Sequence, residues 1–394
     1  MTSPHHSRGS KTHRDKRSFA IERLLRPRQS IWPSSRQLCT IRSMNRHAVI
    51  LALASAALFG ISTPAAKFLL GDIDPIVLAG ILYCGAGIGI GILRRFTQTL
   101  PAGSTPQEAP LDAKDMPSLA GAIVAGGIAG PILLMAGLDR TEASTASLLL
   151  TLEGVATALL AWFAFHENFD RRVALGMICL VAGAAVLAWS GRPTLSSLFG
   201  PMLIVGACIA WGLDNNLTRK VSLADPLQIV EIKGLVAGSV SLALGLLLGG
   251  TLPKIWPAIM AGLVGFLGYG LSLALFVRSL RYLGTARTGA YFSTAPFLGT
   301  FASILGLGEP VTVQLVVAGS LMGLGVWLHL TERHEHEHVH EALEHSHSHV
   351  HDQHHRHVHT ATDPAGERHT HRHRHEPLKH THPHVPDMHH THRH

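Results

Sequence analysis

The chain has little charge: Asp, Glu, Lys and Arg make up 15% of its 394 residues. A chain of this length built from two or three soluble domains needs a larger charged surface, so a soluble multi-domain enzyme is excluded. Cysteine is scarce too. Cys39 lies in a basic amino-terminal arm, and Cys84, Cys179 and Cys208 each stand alone in an apolar run. Without a CxxC pair there is no sign of a disulfide framework or a thiolate metal site, and these residues read as buried structural thiols. The amino-terminal arm also lacks the short apolar core and small-residue cleavage site of a secretory signal. The net charge of +7 is not gathered as nucleic-acid binding requires. Most of the excess sits in the arm and the rest in short loops between apolar segments, the pattern of membrane topology.

What is present is apolar sequence: 46% of residues are hydrophobic and the mean hydropathy is +0.23. That average covers unlike pieces. Residues 1–46 form the basic arm, read as a disordered segment, with Met44 directly before the first apolar run as a natural start. Residues 332–394 hold 23 of the 29 histidines. Between them, His47 to Thr331 carries long apolar runs with short connections. Ten helices of about 20 residues each fit within that length.

The runs predict spans at 47–70, 75–93, 117–138, 143–165 and 172–190, then at 197–216, 226–249, 256–278, 285–307 and 310–331. Pro75, Pro117, Pro226 and Pro310 mark starts, where a first-turn proline loses no helical hydrogen bond. Pro131 and Pro296 fall inside the third and ninth spans, where each frees a backbone carbonyl. With the amino terminus inside, the cytoplasmic loops carry Arg94, Arg95, Lys114, Arg171, Arg172, Arg219, Lys220, Arg278, Arg281 and Arg287. The opposite side has only Lys67, Arg140, Arg192 and Lys254, a positive-inside bias that places both termini in the cytoplasm.

Shifting the chain by 142 residues lays Leu138 on Leu280, Glu167 on Glu309 and Gly183 on Gly325. The expected fold is therefore an all-α membrane protein of ten transmembrane helices. It comprises two inverted five-helix repeats, residues 47–190 and 191–331, with disordered tails at both ends. Five spans per repeat is an odd number, so the second repeat enters from the opposite face, an architecture of secondary transporters. Glycine pairs such as Gly234-xxx-Gly238 and Gly319-xxx-Gly323 indicate a closely packed bundle.

The two halves resemble the EamA-type domains of the bacterial drug/metabolite transporter superfamily across nearly all of His47 to Thr331. The resemblance rests on Leu152-Glu153-Gly154 with the run to His166-Glu167, and on Ala295-Pro296 with the run to Gly308-Glu309. The glycine-rich fifth and tenth spans also carry it. The stretches Trp211 to Lys220 and Gly284 to Tyr291 are similar to a subgroup with a histidine-rich tail. Such a resemblance implies a ten-span inner-membrane carrier, typically an exporter of small metabolites such as amino acids. Phe59-Gly60 replaces the family's tryptophan-glycine, and Gly154 stands where a proline often follows the glutamate, departures that bear on the substrate rather than the fold.

Within the spans, Glu153 is the clearest ionisable residue, near the middle of the fourth. It reads as a carboxylate that meets a substrate amine or a proton, or as one that fastens two helices. Lys67 could attract an anion but favours extending its ammonium to the interface. Glu231 and Lys233, two residues apart, lie on different faces of span seven, with Lys233 a candidate counter-charge for Glu153. Asp214, with Asn215 and Asn216, reads as helix capping. Tyr269 and Tyr291 are candidates to line the path.

The tail alternates His-x-His with too little apolar content for a core, and is expected to be disordered. Neutral imidazoles at His334, His336, His338, His340, His345, His347, His349 and His351 are suited to zinc, nickel, cobalt or copper. No cofactor is required. His334 to His338 and His336 to His340 match the HExxH pattern by composition alone, and no nucleophile–base pair lies in the spans, so an enzyme is not expected. The leading expectation is a secondary carrier whose partners are the lipid membrane and a small-molecule substrate. Divalent metal efflux and a metal-responsive membrane sensor are the alternatives.

Overall fold

The computed structural model describes residues 35–98, 111, 113–165, 171–189, 195–221 and 224–331, together with four short segments of the tail. The arm up to residue 34 lies outside the described residues. Helix α1 (Ser35–Leu69) contains the apolar stretch His47–Leu69, and α2 spans Pro75–Gln98. The third span is composite: α3 (Met116–Ala122), a π-helical stretch over Ile123–Ala129, then α4 (Gly130–Asp139). Helices α5 (Ala143–Leu149) and α6 (Leu152–Phe165) follow, then α7 (Arg171–Ala188) and α8 (Leu195–Val221). Next come α9 (Pro226–Leu247), α10 (Ile255–Gly265), a π-helical stretch over Phe266–Leu271, and α11 (Ser272–Phe292). The helical part ends with α12 (Ala295–Leu307) and α13 (Val313–Leu330).

Eight of these helical stretches are long and apolar enough to cross a membrane, and Ala295–Leu307 and Val313–His329 are shorter apolar helices. The protein is therefore a multi-pass helical membrane protein. The ninth predicted span, 285–307, is not one helix: α11 runs through residue 285 without a stop, and the chain breaks at Ser293 and Thr294 instead. Pro296 consequently occupies the first turn of α12, where its missing N–H costs nothing.

The irregularities recur at the spacing of the sequence echo. The two π-helical stretches end at Ala129 and Leu271, 142 residues apart. The break after Leu150 at Thr151 is likewise matched by one at Ser293. Such matched interruptions are unexpected for helices chosen by apolarity alone.

Packing of α7 on α13 shows the same relationship. A β-carbon at Gly176 would lie 2.9 Å from the Gly325 carbonyl oxygen, and one at Gly183 would lie 3.0 Å from that of Ala318. Shifting 176 and 183 by 142 gives 318 and 325, so the two contacts exchange with each other. As the residue number rises along α7 it falls along α13, so the pair runs antiparallel. The same holds for α2 and α9, where Gly80 faces the Leu242 backbone and Gly87 faces Leu235. Small residues permit this closeness, and dispersion rather than water release holds helices together in lipid.

In the tail, β1 (Glu335–His340), β2 (Glu344–His349), β3 (His369–Arg374) and β4 (Leu378–Pro383) form two antiparallel ribbons, β1 with β4 and β2 with β3. A structureless tail is the expectation from composition. At these four segments the backbone is paired instead, the two-residue period of His-x-His being also the period of a strand. In register, His336 stands opposite His382 and His347 opposite His371.

Candidate functional site

The polar groups of the spans converge on the π-helical turn of the third span. In that geometry the Gly130 N–H bonds to the Ala125 carbonyl, five residues back. The next donor in this register would come from residue 131, which is proline and has none. The Gly126 carbonyl is thereby freed, and two buried side chains supply its donors. Tyr83 Oη donates to it at 2.8 Å and Trp211 Nε1 at 2.9 Å. The expected effect of Pro131 thus has a specific address.

Gly126 also makes room for charge. A β-carbon there would overlap the Asp214 carboxylate, and one at Gly127 would come within 3.6 Å of Lys233 Cγ. Asp214 and Lys233 form a buried ion pair against this bare patch of backbone, linking α8 to α9. Thr218 Oγ1 adds a hydrogen bond to the other Asp214 oxygen at 2.8 Å. Asp214 is not a helix cap, which corrects that expectation; Lys233 pairs directly with Asp214, while its charge acts on Glu153 only from a distance.

Glu153 lies in the first turn of α6, just after the break at Thr151. It is half-buried, and its Oε1 accepts from Asn215 Nδ2 at 2.9 Å. The same Asn215 amide donates to Thr157 Oγ1 at 3.2 Å. The Thr157 hydroxyl proton is already engaged by the Glu153 carbonyl at 2.8 Å. Neighbouring Asn216 Nδ2 donates to the Gly212 and Thr157 carbonyls. On α8, Met202, Ile209 and Leu213 are exposed and share one face at helical spacing. Trp211, Asp214 and Asn215 fall on the opposite face, so Asn215, though exposed, lies on the side of α8 away from those apolar residues.

An aromatic group adjoins this patch. Trp211 is one helical turn before Asn215, with Phe59 at 6.5 Å from it in an edge-on arrangement. Phe59 also meets Tyr269 at 5.9 Å and Phe292 at 5.4 Å, and Tyr269 meets Tyr83 at 5.6 Å. Tyr269 therefore belongs to the cluster. Among the described residues no ring contact brings Tyr291 into the cluster; its carbonyl accepts from Thr294 Oγ1 at 2.6 Å beside the second break.

Glu231 and Lys67 lie elsewhere. Glu231 turns away from Lys233, as two-residue spacing demands, and binds Arg94 at 3.0 Å and Arg95 at 3.5 Å. Arg94 also bonds Asp225 at 3.1 Å, so α2 and α9 are tied at this end of the bundle. Near the other end, Lys67 Nζ donates to the Leu138 and Asp139 carbonyls at 2.6 and 3.2 Å, covering the carboxyl end of α4. Just beyond that turn, Glu309 accepts from the Ala143 and Ser144 N–H groups at 2.7 and 2.8 Å. In the sequence Glu309 marks only the repeat and the family resemblance. Trp211 and Tyr83 look like packing residues there, because their role depends on a π turn without a sequence period. Asn215 looks like a cap, because its partners Glu153 and Thr157 lie on another helix.

Among the described residues no group of three or more His, Cys, Asp or Glu is placed to hold a metal ion. His334 and His351 lie outside the described residues, whereas His336, His338, His340, His345, His347 and His349 are on β1 and β2, described as backbone. A groove of about 210 Å³ lined by Leu148, Phe297, Phe301, Ile304 and Leu315 is almost wholly apolar and excludes Glu153. The charged chemistry is at the π turn, not in that groove.

A multi-pass helical bundle with interior charge at broken helices defines a membrane transporter. The model of the EamA-like transporter family matches residues 46–189 and again 198–331, and the chain belongs to that family. An uncharacterized transporter of Methanothermobacter thermautotrophicus is 26% identical over 291 residues, covering 71% of this chain and 84% of that protein. The uncharacterized transporter YyaM of Bacillus subtilis is 26% identical over 208 residues, 49% of this chain and 66% of YyaM. A solved structure titled only as a protein crystal structure superposes with a TM-score of 0.53 at 16% identity. It covers 72% of this chain and 95% of its own, a likeness of fold alone.

Proposed function

We propose that the protein is a secondary transporter that exports a small polar metabolite, an amino acid or a related compound, across the inner membrane of a bacterium. Its ten spans form two inverted repeats, with both termini cytoplasmic, and the solute crosses by alternating exposure of the interior patch around Glu153. The observation that carries the reading is the ionisable cluster of Glu153, Asp214 and Lys233 between helix interruptions. Charge at this depth costs several kcal/mol unless paired or wetted, and here one carboxylate is ion-paired while the other, half-buried, is held by the amide of Asn215. The matched interruptions and the antiparallel α7–α13 and α2–α9 pairs support inverted repeats.

In the same reading the histidine tail takes up zinc, nickel, cobalt or copper without entering the transport path. Metal as the transported solute is less well supported, since among the described residues Asp214 is ion-paired to Lys233 and no group of three or more His, Cys, Asp or Glu gathers at these carboxylates. The test is comparative metabolite profiling of medium from cells with and without the protein, followed by flux of the enriched solutes in proteoliposomes. Enrichment of no solute and flux of none in a broad panel would overturn it.

A further inference from the structure

The hydrogen-bond inventory around Glu153 narrows the substrate, and this inference rests on the transporter reading above. Asn215 has two amide hydrogens, and both are engaged, one by Glu153 Oε1 and one by Thr157 Oγ1. The reverse amide orientation would place its oxygen against the carboxylate and against a hydroxyl whose proton is already given away, so this assignment is the satisfied one. The Thr157 hydroxyl donates to the Glu153 carbonyl. Asn216 Nδ2 donates to two backbone carbonyls. Every side-chain donor of Asn215, Asn216 and Thr157 is thus in use. What remains free among the described residues is two acceptors, Glu153 Oε2 and Asn215 Oδ1.

A ligand for two acceptors must bring donors, and one for an unmatched carboxylate gains by bringing positive charge. An ammonium does both, with up to three N–H groups and no acceptor of its own. A free carboxylate on the ligand finds nothing comparable. Among the described residues of this region, Lys233 is held by Asp214, while Arg94 and Arg95 are held by Asp225 and Glu231. Lys67 is engaged by the Leu138 and Asp139 carbonyls. The aromatic cluster begins one turn away at Trp211 and continues through Phe59, Tyr269 and Phe292. It offers an apolar body a surface and a cation ring faces.

We propose that the transported solute is a cationic amine with an apolar or aromatic body, its ammonium bound between Glu153 Oε2 and Asn215 Oδ1, in preference to the zwitterion or anion of the same shape. The full-length protein in proteoliposomes tests this with three probes of matched body, 2-phenylethylamine, phenylalanine and 3-phenylpropionate, each corrected for leak into protein-free vesicles. Phenylethylamine should move about tenfold faster than phenylalanine, with 3-phenylpropionate at background, a ratio set by one charge-assisted contact. Glu153→Gln should lower the amine flux by about tenfold or more, and Glu153→Asp should retain more of it. Faster flux of the zwitterion or anion, or amine flux indifferent to Glu153→Gln, overturns the proposal. Flux of other panel solutes without any amine overturns the amine assignment and leaves the transporter reading standing. Absence of flux for every solute overturns both.

Discussion

Lys233 Nζ on α9 donates to Asp214 Oδ2 on α8, with their side chains only 12% and 8% exposed. Each charge is tolerable there because of the other, and Gly126 provides the space. Lys233→Met leaves a buried carboxylate unmatched and is expected to cost about 3–5 kcal/mol. The double variant Asp214→Asn with Lys233→Met should recover much of that loss. Thermal unfolding of the four proteins in detergent closes the cycle, and strictly additive losses would show that the pair is not coupled.

Glu153→Gln keeps the shape of the side chain and removes its charge. Because Glu153 has one neutral side-chain donor and makes no direct ion pair among the described residues, Lys233 acting on it only from a distance, folding should depend on the charge only weakly. Transport should fall by about tenfold or more, as loss of one charge-assisted contact implies. Measured flux with membrane insertion and melting temperature alongside separates the outcomes. Undiminished flux would assign the carboxylate to helix fastening.

Eight long apolar spans and the echo at 142 residues are legible because apolar runs and glycine positions are properties of the chain itself. The direct partner of Lys233 is not. Lys233 and Asp214 are 19 residues apart on two helices, and nothing linear distinguishes Asp214 from Glu153 as the acceptor. The π turns were hidden because a five-residue hydrogen-bond step leaves no hydrophobic period, although Gly126, Gly127 and Pro131 hold the ingredients. The ninth span is misplaced because the stretch with Arg281, Gly284 and Arg287 reads as a polar connection, yet the helix runs on through it to Phe292 and Pro296 starts the next.

Close approach at Gly325 leaves no room for a side chain: a β-carbon there would lie 2.7 Å from the Gly176 carbonyl oxygen. Gly325→Leu should separate α7 from α13 and lower stability by more than the roughly 1–3 kcal/mol of ordinary overpacking, because backbone rather than a side chain must move. Gly306→Ala, where a β-carbon meets nothing within 4 Å, is the matched control. Melting temperatures in detergent compare the two, and equal losses would count against backbone contact at Gly325.

Truncation after residue 333 removes every histidine proposed to bind metal and none of the helical spans. Solute flux should be unchanged, whereas zinc or nickel retained after equilibrium dialysis should fall to background. Loss of flux on truncation would place the tail in the transport path.

The turn between α4 and α5 is held from both sides by opposite charges. Lys67 covers the carboxyl end of α4, where carbonyls lack donors, and Glu309 covers the first N–H groups of α5. Each is opposite in sign to the partial charge of the helix end it meets. Hydrogen bonds to charged groups contribute about 1.5–3 kcal/mol apiece, so Glu309→Gln and Lys67→Met should each loosen this turn measurably. In a background carrying Thr141→Cys, a buried position at 9% exposure, a membrane-impermeant maleimide should label faster in either variant than in the parent. If alternating exposure includes opening at this end, both substitutions shift the balance toward that opening, and labelling rises further when substrate is present. Labelling rates that match the parent in both variants would mean that the two charges do not hold this end closed.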